Sequence, residues 1–171
     1  MSLLRNKLLW VALVCAAPVV LGTLAYLLGW SPGAPANYGE LIAPRVVQAV
    51  PLAELRGKWV LVAFDAGACD AHCERKLYVM RQVRRAQGKE MDRIERLWVL
   101  TDAAKPRPAA LAMSEGARVG RFAAEGFPGT LSDHIYVVDP LGNLMMRFPR
   151  DPDPSRVIRD LQRLLKYSRF G

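Results

Sequence analysis

Trp59-Val60-Leu61-Val62-Ala63-Phe64-Asp65-Ala66-Gly67-Ala68-Cys69-Asp70-Ala71-His72-Cys73 decides how the chain folds. Its first six residues are a continuous apolar run with β-branched members. Gly57-Lys58 precedes the run and Asp65-Ala66-Gly67 follows it. Such a run reads as a strand buried on both faces. Cys69 to Ala86 then reads as an amphipathic helix. Leu77, Met80 and Val83 form its apolar stripe, Arg81, Arg84 and Arg85 lie elsewhere, and Gly88 supplies the stop.

Downstream, Leu97 to Thr101 repeats the buried-strand pattern and ends at Asp102. Lys105-Pro106-Arg107-Pro108 is a loop, and Ala109 to Met113 starts a helix of good intrinsic propensity. The stretch from Gly116 to Gly129, broken by glycine and proline, reads as short helical pieces and loop. Ile135 to Val138 and Leu144 to Phe148 form a hairpin about the turn Asp139–Asn143. Asp153 caps a last helix with Pro154 at its first position. Val157, Leu161, Leu164 and Leu165 are its buried stripe. The order strand, helix, strand, helix, hairpin, helix predicts a central sheet flanked by helices. Its first two strands should be parallel with a right-handed crossover. That is the element order of a thioredoxin-like α/β fold.

Upstream, the run from Leu8 to Trp30 carries no charge. At about 1.5 Å per residue it spans a hydrocarbon core of about 30 Å. Trp10, Tyr26 and Trp30 sit toward its ends, where amphipathic rings suit the headgroup layer, and Pro18 is tolerated in a membrane helix. Arg5 and Lys7 keep the preceding end in the cytoplasm by the positive-inside rule. The run exceeds the apolar core of a cleaved signal, and Ala34-Pro35-Ala36 makes a poor cleavage site. The expected organisation is therefore a cytoplasmic N-terminus at 1–7, a transmembrane anchor at 8–30, a linker at 31–50 and a thioredoxin-like domain at 51–171. This describes a single-pass protein of the bacterial inner membrane with its C-terminal domain extracytoplasmic, in the periplasm.

The formal charge is +8, from 24 basic and 16 acidic residues. A basic surface favours acidic partners or anionic lipid. Export and the lack of an aromatic-interleaved basic motif argue against nucleic acid.

Of three cysteines, Cys15 lies in the membrane run and reads as a small apolar filler. Cys69 and Cys73 are the only exported pair. In an oxidising compartment they form a disulfide, a redox couple or a metal site. They lie where a buried strand feeds a helix, the usual place for a site in an open α/β sheet. A helix N-terminus favours the thiolate, and soft thiolates select Cu(I) and also suit zinc. An imidazole would complete a three-coordinate site. His134 is the candidate, with Asp133 placed to hydrogen-bond its ring from outside the ligand set. His134 also reads as a surface or hydrogen-bonded structural residue. His72, inside the cysteine loop, is either an alternative ligand or simply exposed. One of Met145 and Met146 should be core, and Trp59 and Trp98 structural.

The segment from Leu55-Arg56-Gly57-Lys58 through the strand to Cys-x3-Cys resembles the Sco family of copper chaperones. So does Asp133-His134 leading into Ile135-Tyr136-Val137-Val138-Asp139-Pro140-Leu141-Gly142. The resemblance covers roughly residues 52–167. It implies a thioredoxin fold tethered by one membrane helix. It also implies copper, as Cu(I), on the residues matching Cys69, Cys73 and His134. The activity it implies is copper delivery to, or thiol reduction at, the copper-bearing subunit of cytochrome c oxidase. The chain departs from the pattern at Asp70 and Glu74, which stand where the family usually has prolines. Two carboxylates beside the thiols should raise thiol pKa. The expected role is a metallochaperone. A metal-free periplasmic thiol-disulfide oxidoreductase acting on another thiol client, or a non-catalytic scaffold with a structural disulfide, are the alternatives.

Overall fold

A computed structural model describes residues 2–29, 37–47 and 49–168. It divides into two units, residues 1–36 and 37–171. The first holds helix α1 (Ser2–Leu27), with Pro18 inside it and Cys15 unpaired. Lys7–Leu27 is long and apolar enough to cross a membrane. Trp30 and residues 31–36 of the expected linker lie outside the described residues.

The second unit is a six-stranded sheet in the order β1-β6-β5-β2-β3-β4. The strands are β1 (Glu40–Val46), β2 (Trp59–Asp65), β3 (Ile94–Leu100), β4 (Arg118–Gly120), β5 (Ile135–Val138) and β6 (Asn143–Phe148). The helices are α2 (Val50–Ala53), α3 (Ala71–Arg85), α4 (Pro108–Met113) and α5 (Pro154–Tyr167). Parallel pairing of β2 with β3 and antiparallel pairing of β5 with β6 match the sequence expectation.

All seven residues of β2 are buried. Alternation of side chains along the strand divides them between two cores. Trp59, Leu61 and Ala63 join Val79, Met80 and Val83 of α3 and Val157, Leu161 and Leu165 of α5. Val60, Val62 and Phe64 join Leu52, Leu55, Phe127 and Tyr136 on the other face. There the cover is α2 and the segment around Phe127, not a long helix. Phe64, Phe127 and Tyr136 pack edge to face, with Phe64–Phe127 centroids 4.8 Å apart.

Two strands lie where the sequence predicts none. β1 falls within the expected linker, 31–50, and pairs antiparallel with β6. Its pattern is masked because it is an edge strand, mostly exposed, with Pro44 inside it. Proline is tolerated there, and the register shifts between Leu41 and Arg45. β4 has three residues, too few to show periodicity.

One carboxylate fixes the start of the domain. Asp160 of α5 is buried, and its Oδ2 accepts from the backbone N–H of Tyr38 and of Gly39, each at 2.8 Å. Asp160→Ala strands both donors. Unsatisfied buried groups cost on the order of 1–3 kcal/mol each. A matching fall in the urea-unfolding free energy of the sheet domain, followed in the detergent-solubilised full chain, is the expected result.

Candidate functional site

The C-terminal end of β2 delivers a short loop, and the loop delivers a disulfide. Cys69 and Cys73 are bonded, with Cα atoms 5.2 Å apart. Cys69 lies just before the helix, in the left-handed region at φ 43°. Asp70 is the N-cap of α3; its Oδ1 accepts the Cys73 N–H at 2.9 Å. Cys73 therefore sits in the first turn, where the unpaired helix amides favour negative charge. Both cysteines are buried, each 1% exposed. They pack against Leu77, Trp98, Leu100 and Ala110.

The segment after β3 clasps this loop. The Gly67 N–H donates to Asp102 Oδ1 at 2.9 Å, and the Gly67 carbonyl accepts from the Arg107 N–H at 3.3 Å. A Cβ at Gly67 would lie 2.6 Å from the Ala104 carbonyl oxygen, so only glycine fits. The Arg107 guanidinium donates to the Cys69 carbonyl and to Glu74 Oε1, the latter at 3.1 Å.

Both carboxylates that depart from the Sco pattern are thus engaged. Hydrogen bonding from the Cys73 amide holds the Asp70 carboxyl below its ordinary value of 3.8. Glu74 pairs with Arg107. Asp70 therefore stays ionised at the helix cap, and the charge of Glu74 is partnered by Arg107.

Beside the disulfide loop is a buried ion pair absent from the sequence reading. Lys76 Nζ lies 2.7 Å from Asp65 Oδ2, with exposures of 1% and 6%. It also donates to the Ser132 carbonyl. Burial raises the Asp65 carboxyl, and Lys76 opposes that rise. A signal existed: Lys76 falls within the Leu77-Met80-Val83 stripe on the helix, and Asp65 continues the β2 face that meets α3.

His72 is half-buried, not simply exposed. Its Nδ1 lies 3.3 Å from Asp151 Oδ1, and Nε2 is buried without a partner. His134 Nδ1 lies 2.8 Å from the Phe148 carbonyl oxygen. A carbonyl only accepts, so the proton is on Nδ1 and Nε2 keeps its lone pair. The imidazole packs against Tyr136, centroids 5.9 Å apart. The ring partner expected of Asp133 is therefore Phe148, and Asp133 Oδ1 lies 3.7 Å from Arg150. Met146 is core and Met145 half-buried. Among the described residues, no three His, Cys, Asp or Glu side chains gather closely enough to hold a metal ion.

A family model described as a transmembrane-like, thioredoxin-like, C-terminal domain matches residues 59–168. No curated protein matches the chain. Among solved structures, apo Sco1 from Thermus thermophilus superposes with a TM-score of 0.56 at 19% identity, covering 77% of this chain and 99% of that one. Yeast Sco1 gives 0.56 at 18% identity, covering 80% and 98%. The thioredoxin-like superfamily protein SPOA0173 gives 0.50 at 18% identity, covering 68% and 86%. At these identities the likeness is one of fold.

The cap makes a pH prediction. A carboxyl whose folded pKa is lowered stabilises above its unfolded value and loses that contribution as pH falls through the folded one. The advantage of the parent over Asp70→Asn, measured by thermal unfolding, should be full well above 3.8 and fade progressively as pH falls from 3.8 through the lower folded value. An advantage independent of pH would remove the carboxylate charge from the account.

Proposed function

The chain belongs to the transmembrane-like, thioredoxin-like C-terminal domain family, and from that premise we propose a membrane-anchored thiol–disulfide protein working outside the cytoplasm through Cys69 and Cys73. The observation that carries this reading is the disulfide itself. It closes where the central strand ends and the first turn of α3 begins. Helix amides there favour the thiolate formed on reduction.

In the reduced state, a thiolate of the pair attacks a client disulfide. The client S–S bond breaks and a mixed disulfide forms. The second cysteine attacks that bond, re-forming Cys69–Cys73 and releasing the client as a dithiol. Two electrons pass to the client, and the two thiol protons balance those it gains. An upstream dithiol donor restores the pair.

A second reading follows from His134, and it matches the Sco resemblance: the reduced pair takes up Cu(I) for the copper-bearing subunit of cytochrome c oxidase. The tautomer fixed by Phe148 leaves Nε2 able to donate to a metal. Two thiolates and an imidazole suit copper(I). Uptake would need reduction, because the disulfide consumes both thiolates, and it would also need His134 brought to the sulfurs, since no such trio gathers among the described residues. Copper loading would then be gated by redox state. Asp133 would act on this site only through Arg150 and the local charge, not through the ring.

One paired experiment tests both. Cys73→Ser should trap a client on Cys69 as a mixed disulfide, visible as a reducible adduct. Anaerobic Cu(I) titration of the reduced chain against a competing chelator should give one tight site, weakened at least about tenfold by His134→Ala. No adduct and unchanged binding would remove both activities.

A further inference from the structure

We propose that Arg81, Arg85 and Arg96 form a binding site for a phosphate dianion, and that the Glu115 carboxylate fills it in the free chain. The site is separate from the disulfide and does not depend on its chemistry.

Arg96 carries the argument. It lies on β3, is 3% exposed, and shares the sheet face of Ile94 and Trp98, which packs against α3. Its Nη2 donates to the Glu115 carbonyl. Its Nε and Nη1 are buried with no hydrogen-bond partner among the described residues. A buried guanidinium with two unpaired nitrogens is costly to the fold. Nε of Arg81 is buried and unpartnered in the same way. Donors that carry full charge call for an anionic acceptor.

Helix α3 brings more cations to the same place. Arg81, Arg84 and Arg85 stand three and four residues apart and share one flank of it. Burial, and then the charges of these three, lower the Arg96 pKa to about 10, so Arg96 stays protonated at neutral pH. Arg84 is engaged elsewhere: it donates to the Ile94 carbonyl at 2.6 Å and lies 3.7 Å from Asp92. The other three meet at Glu115. Its backbone carbonyl takes Arg96, and its Oε2 lies 3.4 Å from both Arg81 Nη1 and Arg85 Nη2. Arg81 Nη1 also donates to the Ala112 carbonyl at 3.1 Å, which holds that arginine in place.

Glu115 is a poor match for this company. It sets a single charge against three guanidiniums, and it leaves Arg81 Nε and Arg96 Nε and Nη1 without an acceptor. Its side chain is 64% exposed, so it leaves the cluster without opening a core. A phosphate dianion brings twice the charge and more oxygens about one centre, and arginine forks suit it. The adjacent Gly116 keeps the turn bare, since a Cβ there would lie 3.3 Å from Arg96 Nη2.

The test is calorimetric titration of the full-length protein in detergent with inorganic phosphate. Ionic strength is held constant at about pH 8, where the dianion dominates. One saturable site is expected. Glu115→Gln removes the internal competitor and should tighten it roughly fivefold, whereas Arg81→Gln should weaken it roughly tenfold. Arg96→Met keeps the buried stem without the fork and should abolish saturation, with thermal unfolding reporting that the variant is folded. If it does not fold, Arg81→Gln and the more exposed Arg85→Gln carry the test. Arg156→Gln, on α5 over the Tyr38 ring, makes the same change of charge outside the cluster and should leave affinity unchanged. No saturable binding in either the parent or Glu115→Gln overturns the proposal. So does binding that Arg81→Gln leaves intact, or that Arg156→Gln weakens as much.

Discussion

Strand β2 must be buried on both faces, and the rest of the sheet domain is arranged to satisfy that. Its odd residues need α3 and α5; its even residues need α2 and the aromatic group around Phe127. Its edges need β3 on one side and β5 on the other. A strand so enclosed can meet solvent only at its ends. The carboxyl end is where the loop to α3 turns back, and the Cys69–Cys73 disulfide closes there.

That end is crowded with charge, and the structure pairs it. Asp70 is absorbed by the helix amides, Glu74 by Arg107, Asp65 by Lys76, and Asp151 by His72 and Arg75. The Asp65–Lys76 pair is the costly one. Burying both ions is repaid only by close geometry and by added hydrogen bonds, here to the Ser132 carbonyl. It ties α3 to the sheet and to the turn before β5, and so fixes the helix that carries Cys73.

Much of this is legible in the sequence. The apolar runs of β2 and β3, the hairpin of β5 and β6, and the Asp153-Pro154 cap of α5 each rest on local physics, and each stands close to its expected limits. So does the placement of Cys69 and Cys73 at a strand–helix junction. The losses have physical causes. β1 is hidden because an exposed edge strand tolerates Pro44, and β4 because three residues carry no period. The clasp is hidden because Gly67, Ala104 and Cys69 take part through backbone atoms, which leave no side-chain pattern beyond the glycine required at 67. The ring of His134 is bound by the carbonyl of Phe148 from the neighbouring strand, a partner that depends on register and not on the adjacent Asp133.

What separates a working couple from an inert staple is its reduction potential. Equilibration of the purified full-length chain with glutathione redox buffers, scored by thiol alkylation and mass, measures it directly. A reversible couple should exchange within the range of known dithiol carriers, roughly −120 to −270 mV. A value below about −300 mV, where structural disulfides lie, would contradict the account.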